Sequence, residues 1–283
     1  MSKVNLFSTN SGLATLNADV IKIMTLLDQC FSIWAKDFQS EFMIFPSLIK
    51  VSDLVELDYF HKFPHLGVLT ASIKPNYLEK KEYINSQIKQ EVSNHLLSSS
   101  SYALPSAPCY NIFLHLKNTV QDVPNSFTTV AKCFRQEKYY EELARLLGFT
   151  VREFVYIGTD HEIASYISEC KSKILNFSSS LGLSVEVKTA DDPFYDSKSH
   201  RAKVQKLFKI KEEILYDGKL ALSSLNFHLN FFGKRCNIRL SSDEFIFSGC
   251  VGMGLERWVY ALLDRYDNNV ELICNVLENY KTL

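Results

Sequence analysis

The chain has 283 residues, of which 46% are apolar, and its 31 lysines and arginines nearly balance its 32 aspartates and glutamates. This length suits one large domain, and the balanced charge argues against an extensive nucleic-acid footprint, which normally needs a basic excess. The seven cysteines form no Cys-x-x-Cys pair, and no apolar run is long enough for a signal peptide or a membrane span. We therefore expect a cytoplasmic protein with reduced thiols and no membrane partner.

The first half of the chain predicts a helix followed by strands. Apolar residues recur at helical spacing over residues 13–36, which is typical of an amphipathic helix. Residues 126–134 and 152–158 each have the apolar composition of a strand, and a charged hairpin connection separates them. Thr159 and Glu162 have the spacing of a capping box, which predicts that another helix begins there.

The second half of the chain predicts more strands and two further helices. Residues at about 196–217 are rich in lysine and predict a basic helical insertion. Residues 225–231 alternate between apolar and polar side chains, which is the period of a strand, and residues 252–264 predict a helix that follows glycines. A helix followed by mostly antiparallel strands with inserted helices indicates an α+β fold, and we predict a single domain over residues 1–283.

Three short motifs are each weak evidence when taken alone. Phe-Arg-Gln-Glu at residues 134–137 could be a strand end with a surface ion pair, and Gly-Met-Gly-Leu-Glu-Arg at residues 252–257 could be a glycine-rich turn that opens a helix. Phe-Pro-Ser-Leu at residues 45–48 precedes both. In this order the three segments resemble motifs 1, 2 and 3 of class II aminoacyl-tRNA synthetases.

Within that class the chain is most similar to zinc-dependent seryl-tRNA synthetases and to their truncated relatives, the amino acid:carrier-protein ligases. The segments that support this likeness are DYFHKFPHL (58–66), LPSAPCY (104–110), CFRQE (133–137), REFVYIGT (152–159), DDPFY (191–195), NFHLNFFG (226–233) and GCVGMGLERWVYALL (249–263). The resemblance implies a class II synthetase-type catalytic domain, with an antiparallel sheet flanked by helices and without a tRNA-binding arm. It also implies a homodimer, because motif 1 lies at the dimer interface in that family.

The resemblance also assigns roles in binding ATP. Arg135 would bind the α-phosphate of ATP and the substrate carboxylate, since a planar guanidinium can hold two oxygens at once. Glu137 would accept a hydrogen bond from the adenine amino group, and Phe154 and Arg257 would sandwich the adenine. Arg135 is therefore the expected catalytic residue, because a fixed arginine stabilises charge that develops on the transferring phosphoryl group.

A magnesium ion is expected with the ATP. Seryl-type enzymes carry a glutamate that helps to hold magnesium, a few residues before the strand that corresponds to residues 225–231. In this chain no acidic residue lies between Asp217 and Asn226. The sequence therefore leaves open which carboxylate would hold the magnesium.

Cys109, Glu153 and Cys250 occupy the places of the zinc ligands in the zinc-dependent seryl enzymes and the carrier-protein ligases. Three protein ligands would leave a fourth position for the α-amino group of the substrate, as in a catalytic zinc site. The alternative is that these cysteines are small buried hydrophobes, which is the interpretation that we favour for Cys133. His228 fits equally well a place in the amino acid pocket or a structural role.

Arg201, Lys203 and Lys206 lie in the predicted basic helix. They could simply form a solvated face, or they could dock an acidic carrier protein together with the phosphate of its phosphopantetheine. The second interpretation follows from their position after DDPFY, where the carrier-protein ligases bear an insertion used for docking.

Together these features predict an ATP-dependent ligase that uses zinc and magnesium. It would activate glycine, alanine or serine as an aminoacyl-adenylate and pass the acyl group to the phosphopantetheine thiol of a carrier protein, without tRNA. Two alternatives stay open. The adenylate could react with another small-molecule acceptor, or the protein could be an inactive synthetase paralogue that acts as a binding or regulatory dimer.

Overall fold

The computed structural model describes residues 5–79, 91–122, 124–195 and 210–281. Within these ranges the chain forms fourteen strands, which are β1 (Phe7–Asn10), β2 (Leu13–Leu16), β3 (Glu41–Met43), β4 (Ile49–Lys50), β5 (Val68–Thr70), β6 (Tyr102–Leu104), β7 (Val120–Gln121), β8 (Asn125–Phe134), β9 (Gly148–Gly158), β10 (Val185–Thr189), β11 (Lys211–Tyr216), β12 (Leu220–Leu229), β13 (Arg239–Leu240) and β14 (Phe247–Gly254).

The helices of the same ranges are α1 (Ala18–Asp37), α2 (Val51–Glu56), α3 (Tyr59–Lys62), α4 (Pro75–Glu79), α5 (Cys109–His115), α6 (Asp160–Ser180), α7 (Phe231–Cys236), α8 (Leu255–Arg265) and α9 (Val270–Tyr280). None of them has the length and apolar character that crossing a membrane would require.

A seven-stranded sheet forms the centre of the molecule, in the order β10-β11-β12-β14-β9-β8-β3. All its neighbouring strands are antiparallel except the edge strand β3, which is parallel to β8. β8 and β9 form the longest ladder, from Asn125 opposite Ile157 to Phe134 opposite Gly148. A sheet of this kind, with helices against it, is the α+β arrangement that the sequence predicts.

The long helices begin at side chains that satisfy free amide groups. The Asn17 side chain accepts a hydrogen bond from the backbone N–H of Val20 at the start of α1. Thr159 and Glu162 form the predicted capping box at the start of α6, because each side chain accepts from the backbone N–H of the other residue. Each such cap removes an unsatisfied donor from a helix end, which is worth about 1 kcal/mol.

The two faces of the sheet are covered differently. α1, α6, α8 and α9 pack on one face, where Phe31, Phe177 and Trp258 meet in edge-to-face contacts within the main apolar core. The opposite face carries a smaller apolar cluster, in which Phe113 of α5 stacks on Phe232 of α7 at 3.9 Å between ring centroids. Beside that cluster the sheet is open, and this opening contains the residues described below.

Two predicted helix boundaries are wrong. The first helix begins at Ala18 rather than residue 13, because residues 13–16 are the strand β2 and pair with β1. The basic insertion predicted at about 196–217 is not helical at its end, because Lys211–Tyr216 is the strand β11, which pairs with both β10 and β12. Tertiary pairing here outweighs the helical propensity of a lysine- and glutamate-rich segment. Residues 196–209 lie outside the described residues.

Candidate active site

A cavity of about 260 Å³ lies on the open face of the sheet, between α3, the start of α5, the loop that joins β8 to β9, and the strands β12 and β14. This volume is near the lower end of the range for small-molecule sites, which is roughly 300–1,000 Å³. We call it the central pocket. Its charged and aromatic wall residues include Lys62, Arg135, Glu137, Arg145, Phe149, Glu153, Asp192, Phe194, Lys211, Glu213, Phe231, Glu256 and Arg257.

The structure brings the three predicted metal ligands together at one wall of this pocket. One ligand atom each of Cys109, Glu153 and Cys250 lies within 4.8 Å of the others, and all three residues are buried. Glu153 and Cys250 come from the neighbouring strands β9 and β14, and Cys109 begins α5. We call them the Cys-Glu-Cys cluster. Cys133 is fully buried outside this group, so it packs in the interior as predicted.

The electrostatics of the cluster fit a divalent cation. The pKa of Cys250 is held well above the ordinary thiol value by its hydrogen bond with Cys109, by burial and by the charge of Glu153. Burial is also the largest cause that raises the pKa of Glu153. One oxygen of Glu153, Oε2, has no hydrogen-bond partner among the described residues. The ionised forms of buried acidic groups repel one another, and a cation bound between them neutralises that charge. Two sulfurs and one carboxylate are suitable ligands for zinc.

Three guanidinium groups line the same pocket. Arg135 and Arg145 lie between β8 and β9, and Arg257 lies in α8. Backbone carbonyls hold two of them. Arg135 Nε donates to Ser106 O at 3.0 Å, and Arg257 donates to Ala144 O at 2.9 Å and to Ala221 O at 3.0 Å. Burial, and then the charges of Arg135 and Arg145, lower the pKa of Arg257 to about 10. A group of mutually repelling cations in a pocket favours an anionic ligand.

Phe154 is not at this site, which corrects the prediction that it sandwiches an adenine. Its side chain is 1% exposed and packs in the main core against Phe38. The physical reason is the period of a strand, since successive side chains on β9 point to opposite faces and Glu153 faces the pocket. Phe149 is the aromatic residue of β9 that lines the pocket, and the guanidinium carbon of Arg135 lies 5.1 Å from the centre of its ring.

Glu137, the predicted partner of the adenine amino group, lines the pocket and forms an ion pair there. Its Oε2 lies 2.9 Å from Arg145 Nη1, and Arg145 also lies over the ring of Tyr139 at 4.7 Å. Arg145 was not among the predicted site residues, because it is a single arginine in a charged loop and belongs to none of the three motifs named above. The backbone pairing of Glu141 with Arg145 turns this loop back over the pocket, which only the folded chain shows.

Four carboxylates other than Glu153 lie at the pocket wall, and each is a candidate ligand for the expected magnesium ion. Glu256 accepts from the backbone N–H and the hydroxyl of Thr150 and pairs with Lys132 at 3.1 Å, so its oxygens are committed to the fold. Glu137 pairs with Arg145, and Asp192 pairs with Lys211 at 2.8 Å. Glu213 lies 3.4 Å from Lys211 and is opposite Ser224 on the neighbouring strand.

Arg201, Lys203 and Lys206, which were predicted to dock a carrier protein, lie outside the described residues. The described residues on either side of that segment do reach the pocket. Phe194 lines it and stacks on Phe63 at 5.2 Å between ring centroids, and Lys211 lines it next to Asp192.

Solved structures identify the fold. The chain superposes on the seryl-tRNA synthetase of M. kandleri, solved in complex with A. aeolicus tRNASec, with a TM-score of 0.80 and 20% identity, over 96% of this chain and 57% of that one. It also superposes on prolyl-tRNA synthetase of Cryptosporidium parvum, complexed with halofuginone and AMPPNP, with a TM-score of 0.67 and 11% identity, over 91% and 49% of the two chains. The predicted class II synthetase-type catalytic fold is confirmed.

Curated sequences narrow the similarity. The chain is 26% identical over 249 residues to amino acid–(acyl-carrier-protein) ligase 2 of Bradyrhizobium diazoefficiens, which covers 82% of this chain and 72% of that protein. It is 25% identical to the type-2 serine–tRNA ligase of Methanococcus aeolicus, over 79% of this chain and 46% of that protein. The chain thus spans about half the length of the serine–tRNA ligases that it matches. No model of a known protein family matches it. The predicted resemblance to both groups of ligases is confirmed.

Proposed function

We propose that the protein activates a small amino acid with ATP and transfers the aminoacyl group to the phosphopantetheine thiol of a carrier protein. One observation supports this most strongly. The Cys-Glu-Cys cluster and the three guanidinium groups line a single cavity, so a cation-binding site and an anion-binding site are adjacent. An amino acid and a nucleoside triphosphate carry the two complementary sets of groups.

In the first half-reaction, a carboxylate oxygen of the amino acid attacks the α-phosphorus of ATP. The bond between that phosphorus and the oxygen that leads to the β-phosphate breaks, and pyrophosphate leaves. Arg135 binds the α-phosphate and the attacking carboxylate, so it aligns the two reactants and stabilises the developing negative charge. Its Nε is already held by the carbonyl of Ser106, so the group does not have to reorganise.

In the nucleotide site, Phe149 replaces Phe154 as the aromatic partner of the adenine, with Arg257 as the other. Phe149 faces the pocket and is only partly buried, so a base could stack on it. Glu137 accepts from the adenine amino group with the oxygen that Arg145 does not bind. Arg145 and Arg257 face the outer phosphates, because both carry charge into the same wall of the pocket.

Zinc bound by Cys109, Glu153 and Cys250 would offer a fourth coordination position to the neutral α-amino group of the substrate. The cluster thereby selects amino acids over plain carboxylic acids. For magnesium, Glu213 is the carboxylate that we propose, because Glu256 is fully engaged by Thr150 and Lys132 and the pairing of Glu213 with Lys211 is longer than those of the other pocket acids.

In the second half-reaction, the carrier thiol gives its proton to water and its sulfur attacks the acyl carbon. The bond between that carbon and the phosphate oxygen breaks, and AMP leaves. We propose that Arg201, Lys203 and Lys206 attract the acidic carrier to the pocket. The support for a protein acceptor comes from the two relatives named as amino acid–(acyl-carrier-protein) ligases, which the chain matches over 72% and 73% of their lengths. The type-2 serine–tRNA ligases make tRNA the competing acceptor.

We also propose that the protein is a homodimer. Phe42, Ile44 and Leu48 are 52%, 93% and 45% exposed; Leu48 ends the segment that resembles motif 1, and the other two lie just before it. Phe42 belongs to β3, the strand at one edge of the main sheet. Large apolar side chains grouped at a sheet edge mark an interaction surface.

The test is amino-acid-dependent exchange of pyrophosphate into ATP, with glycine, alanine and serine each supplied alone to zinc-loaded protein. We expect exchange with at least one of them, and then labelling of a phosphopantetheinylated carrier but not of tRNA. Exchange without carrier labelling would support activation of the amino acid but would overturn the carrier protein as the acceptor. Absence of exchange with all three amino acids, in zinc-loaded and folded protein, would overturn the proposed activity.

A further inference from the structure

The sulfur of Cys250 has two nitrogen neighbours on β12. Asn226 Nδ2 lies 3.5 Å from Cys250 Sγ, and His228 Nε2 lies 3.4 Å from it. Both are hydrogen-bond distances for a sulfur acceptor. Asn226 is directly opposite Cys250 in the β12–β14 ladder, so its contact follows from regular pairing.

The contact of His228 does not follow from regular pairing. The register of the ladder shifts between Phe227, which is opposite Gly249, and Leu229, which is opposite Ser248, so His228 is the extra residue of a bulge. Leu229 next to it has φ +56°, a left-handed conformation that is uncommon for a leucine. Bulges re-aim side chains and often lie next to active sites, and strained backbone of this kind is kept where it serves function.

Neighbouring groups determine where the His228 ring points. The ring meets Phe232 edge-on at 4.9 Å and Phe113 edge-on at 5.7 Å between centroids. Its other nitrogen, Nδ1, lies 3.1 Å from the hydroxyl oxygen of Ser248, which is fully buried. The imidazole is thus held on three sides, and Nε2 is the atom presented to Cys250.

The tautomer follows from the chemistry of the sulfur. A thiolate that binds a metal has no proton to give, so Nε2 of His228 must carry the hydrogen and donate it. Nδ1 then accepts the hydroxyl proton of Ser248. His228 lines the pocket but is outside the group of three ligand atoms that lie within 4.8 Å of one another, so it contacts the sulfur without belonging to that group.

We infer that His228 and Asn226 are positioning residues, which donate hydrogen bonds to the Cys250 thiolate and hold it in place for a divalent cation. This rests on the proposed function, because it presumes that the Cys-Glu-Cys cluster binds zinc. Two thiolates and a carboxylate carry more negative charge than one zinc ion neutralises. Donors on a ligating sulfur offset that excess, and removal of such an outer partner typically weakens metal binding about tenfold to a hundredfold.

The experiment measures the dissociation constant for zinc by competition with a chromophoric chelator, in wild type and in His228→Phe, His228→Gln and Asn226→Leu. We expect His228→Phe to weaken zinc binding about tenfold to a hundredfold. His228→Gln should retain much of the affinity, because its amide can place an N–H where Nε2 lies. His161→Gln, on the exposed start of α6, is the control and should bind zinc as wild type does.

Cobalt(II) substitution gives a second measurement that is independent of activity. In His228→Phe the sulfur-to-cobalt charge-transfer band should shift relative to wild type, whereas the control variant should leave it unchanged. Unaltered zinc affinity and an unaltered cobalt spectrum in folded His228→Phe and Asn226→Leu would overturn the inference. Loss of zinc binding by far more than a hundredfold in both His228 variants would also overturn it, because His228 would then be a ligand.

The same samples separate this inference from the proposed function. The wild type could bind zinc with an affinity that depends on His228 and yet catalyse no pyrophosphate exchange. That result would support the inference and overturn the proposed activity. The wild type could instead catalyse exchange while His228→Phe and Asn226→Leu leave the zinc affinity unchanged. That result would support the proposed activity and overturn the inference.

Discussion

Glu153 and Phe154 are neighbours in the chain, yet their side chains lie on opposite faces of the central sheet. Glu153 belongs to the Cys-Glu-Cys cluster in the pocket, and Phe154 is 1% exposed in the core beneath the helices. Strand β9 therefore has two roles. One face supports α1 and the other contributes a carboxylate to the pocket, so substitutions at adjacent positions should have different consequences.

Phe149→Ala and Phe154→Ala form a matched pair of tests on this strand. We expect Phe149→Ala to raise the KM for ATP about fivefold to a hundredfold, since stacking of a base on an aromatic ring contributes roughly 1–3 kcal/mol. Phe154→Ala should instead lower the free energy of unfolding by about 3–5 kcal/mol, because it leaves a cavity in a packed core. The measurements are exchange kinetics and denaturant unfolding. A stable Phe154→Ala with a raised KM for ATP would contradict the assignment.

Arg135→Ala tests the catalytic role of the guanidinium that Ser106 holds. We expect pyrophosphate exchange to fall about a hundredfold to a thousandfold, which is the usual effect of removing one fixed charge-stabilising group from a transition state. Arg265→Ala, on the exposed part of α8 outside the pocket, is the control. Exchange that survives in Arg135→Ala at the wild-type rate would refute this role.

Cys109→Ser and Cys250→Ser test the metal site. We expect wild type to copurify with stoichiometric zinc and both variants to lose it, because a hydroxyl is a poor zinc ligand at neutral pH. Zinc removal by a chelator should also lower the melting temperature of wild type, since a ligand that binds only the folded state stabilises it. Cys274→Ala, which removes a buried cysteine of α9, serves as the comparison and should keep its zinc. Metal analysis that finds full zinc in Cys250→Ser would exclude the proposed cluster.

Ile44→Glu tests the proposed dimer. Ile44 is 93% exposed in the described chain, so a charge there should cost the monomer little but should disrupt an apolar interface. We expect sedimentation analysis to give a dimer for wild type and a monomer for Ile44→Glu. Val120→Glu changes a residue that is 65% exposed and lies outside residues 42–48, and it should remain dimeric. An identical association state in all three proteins would argue against this surface.

Arg201→Glu combined with Lys206→Glu tests the docking of the carrier. We expect transfer to the carrier to decrease about tenfold, with amino-acid-dependent exchange unchanged, because reversed charges repel an acidic partner. Lys22→Glu with Lys36→Glu reverses two exposed charges on α1 and is the matched control. The effect should also diminish at high salt, because the distance over which charges are screened falls from about 10 Å at 0.1 M to about 3 Å at 1 M ionic strength. Equal transfer by both double variants would remove these residues from the proposal.

The class of fold follows from motifs in the chain, and the same motifs name most of the proposed site residues. Arg135, Glu137 and Arg257 could be named in advance because each belongs to a short motif, and the motifs occur in the order that the class requires. The capping box at Thr159 and Glu162 was equally legible, since it depends only on residues within one turn of helix. Such features can be predicted because they depend only on residues that are close together in the chain.

The folded chain brings further residues to the pocket, because register and bulges arise from pairing between distant segments. Phe149 lines the pocket and Phe154 does not, because Phe154 lies on the opposite face of β9 from Glu153. Arg145 reaches the pocket through a loop that pairs with itself, and His228 reaches Cys250 through a bulge. Neither contact was predicted from the sequence, because both depend on the path of the folded backbone.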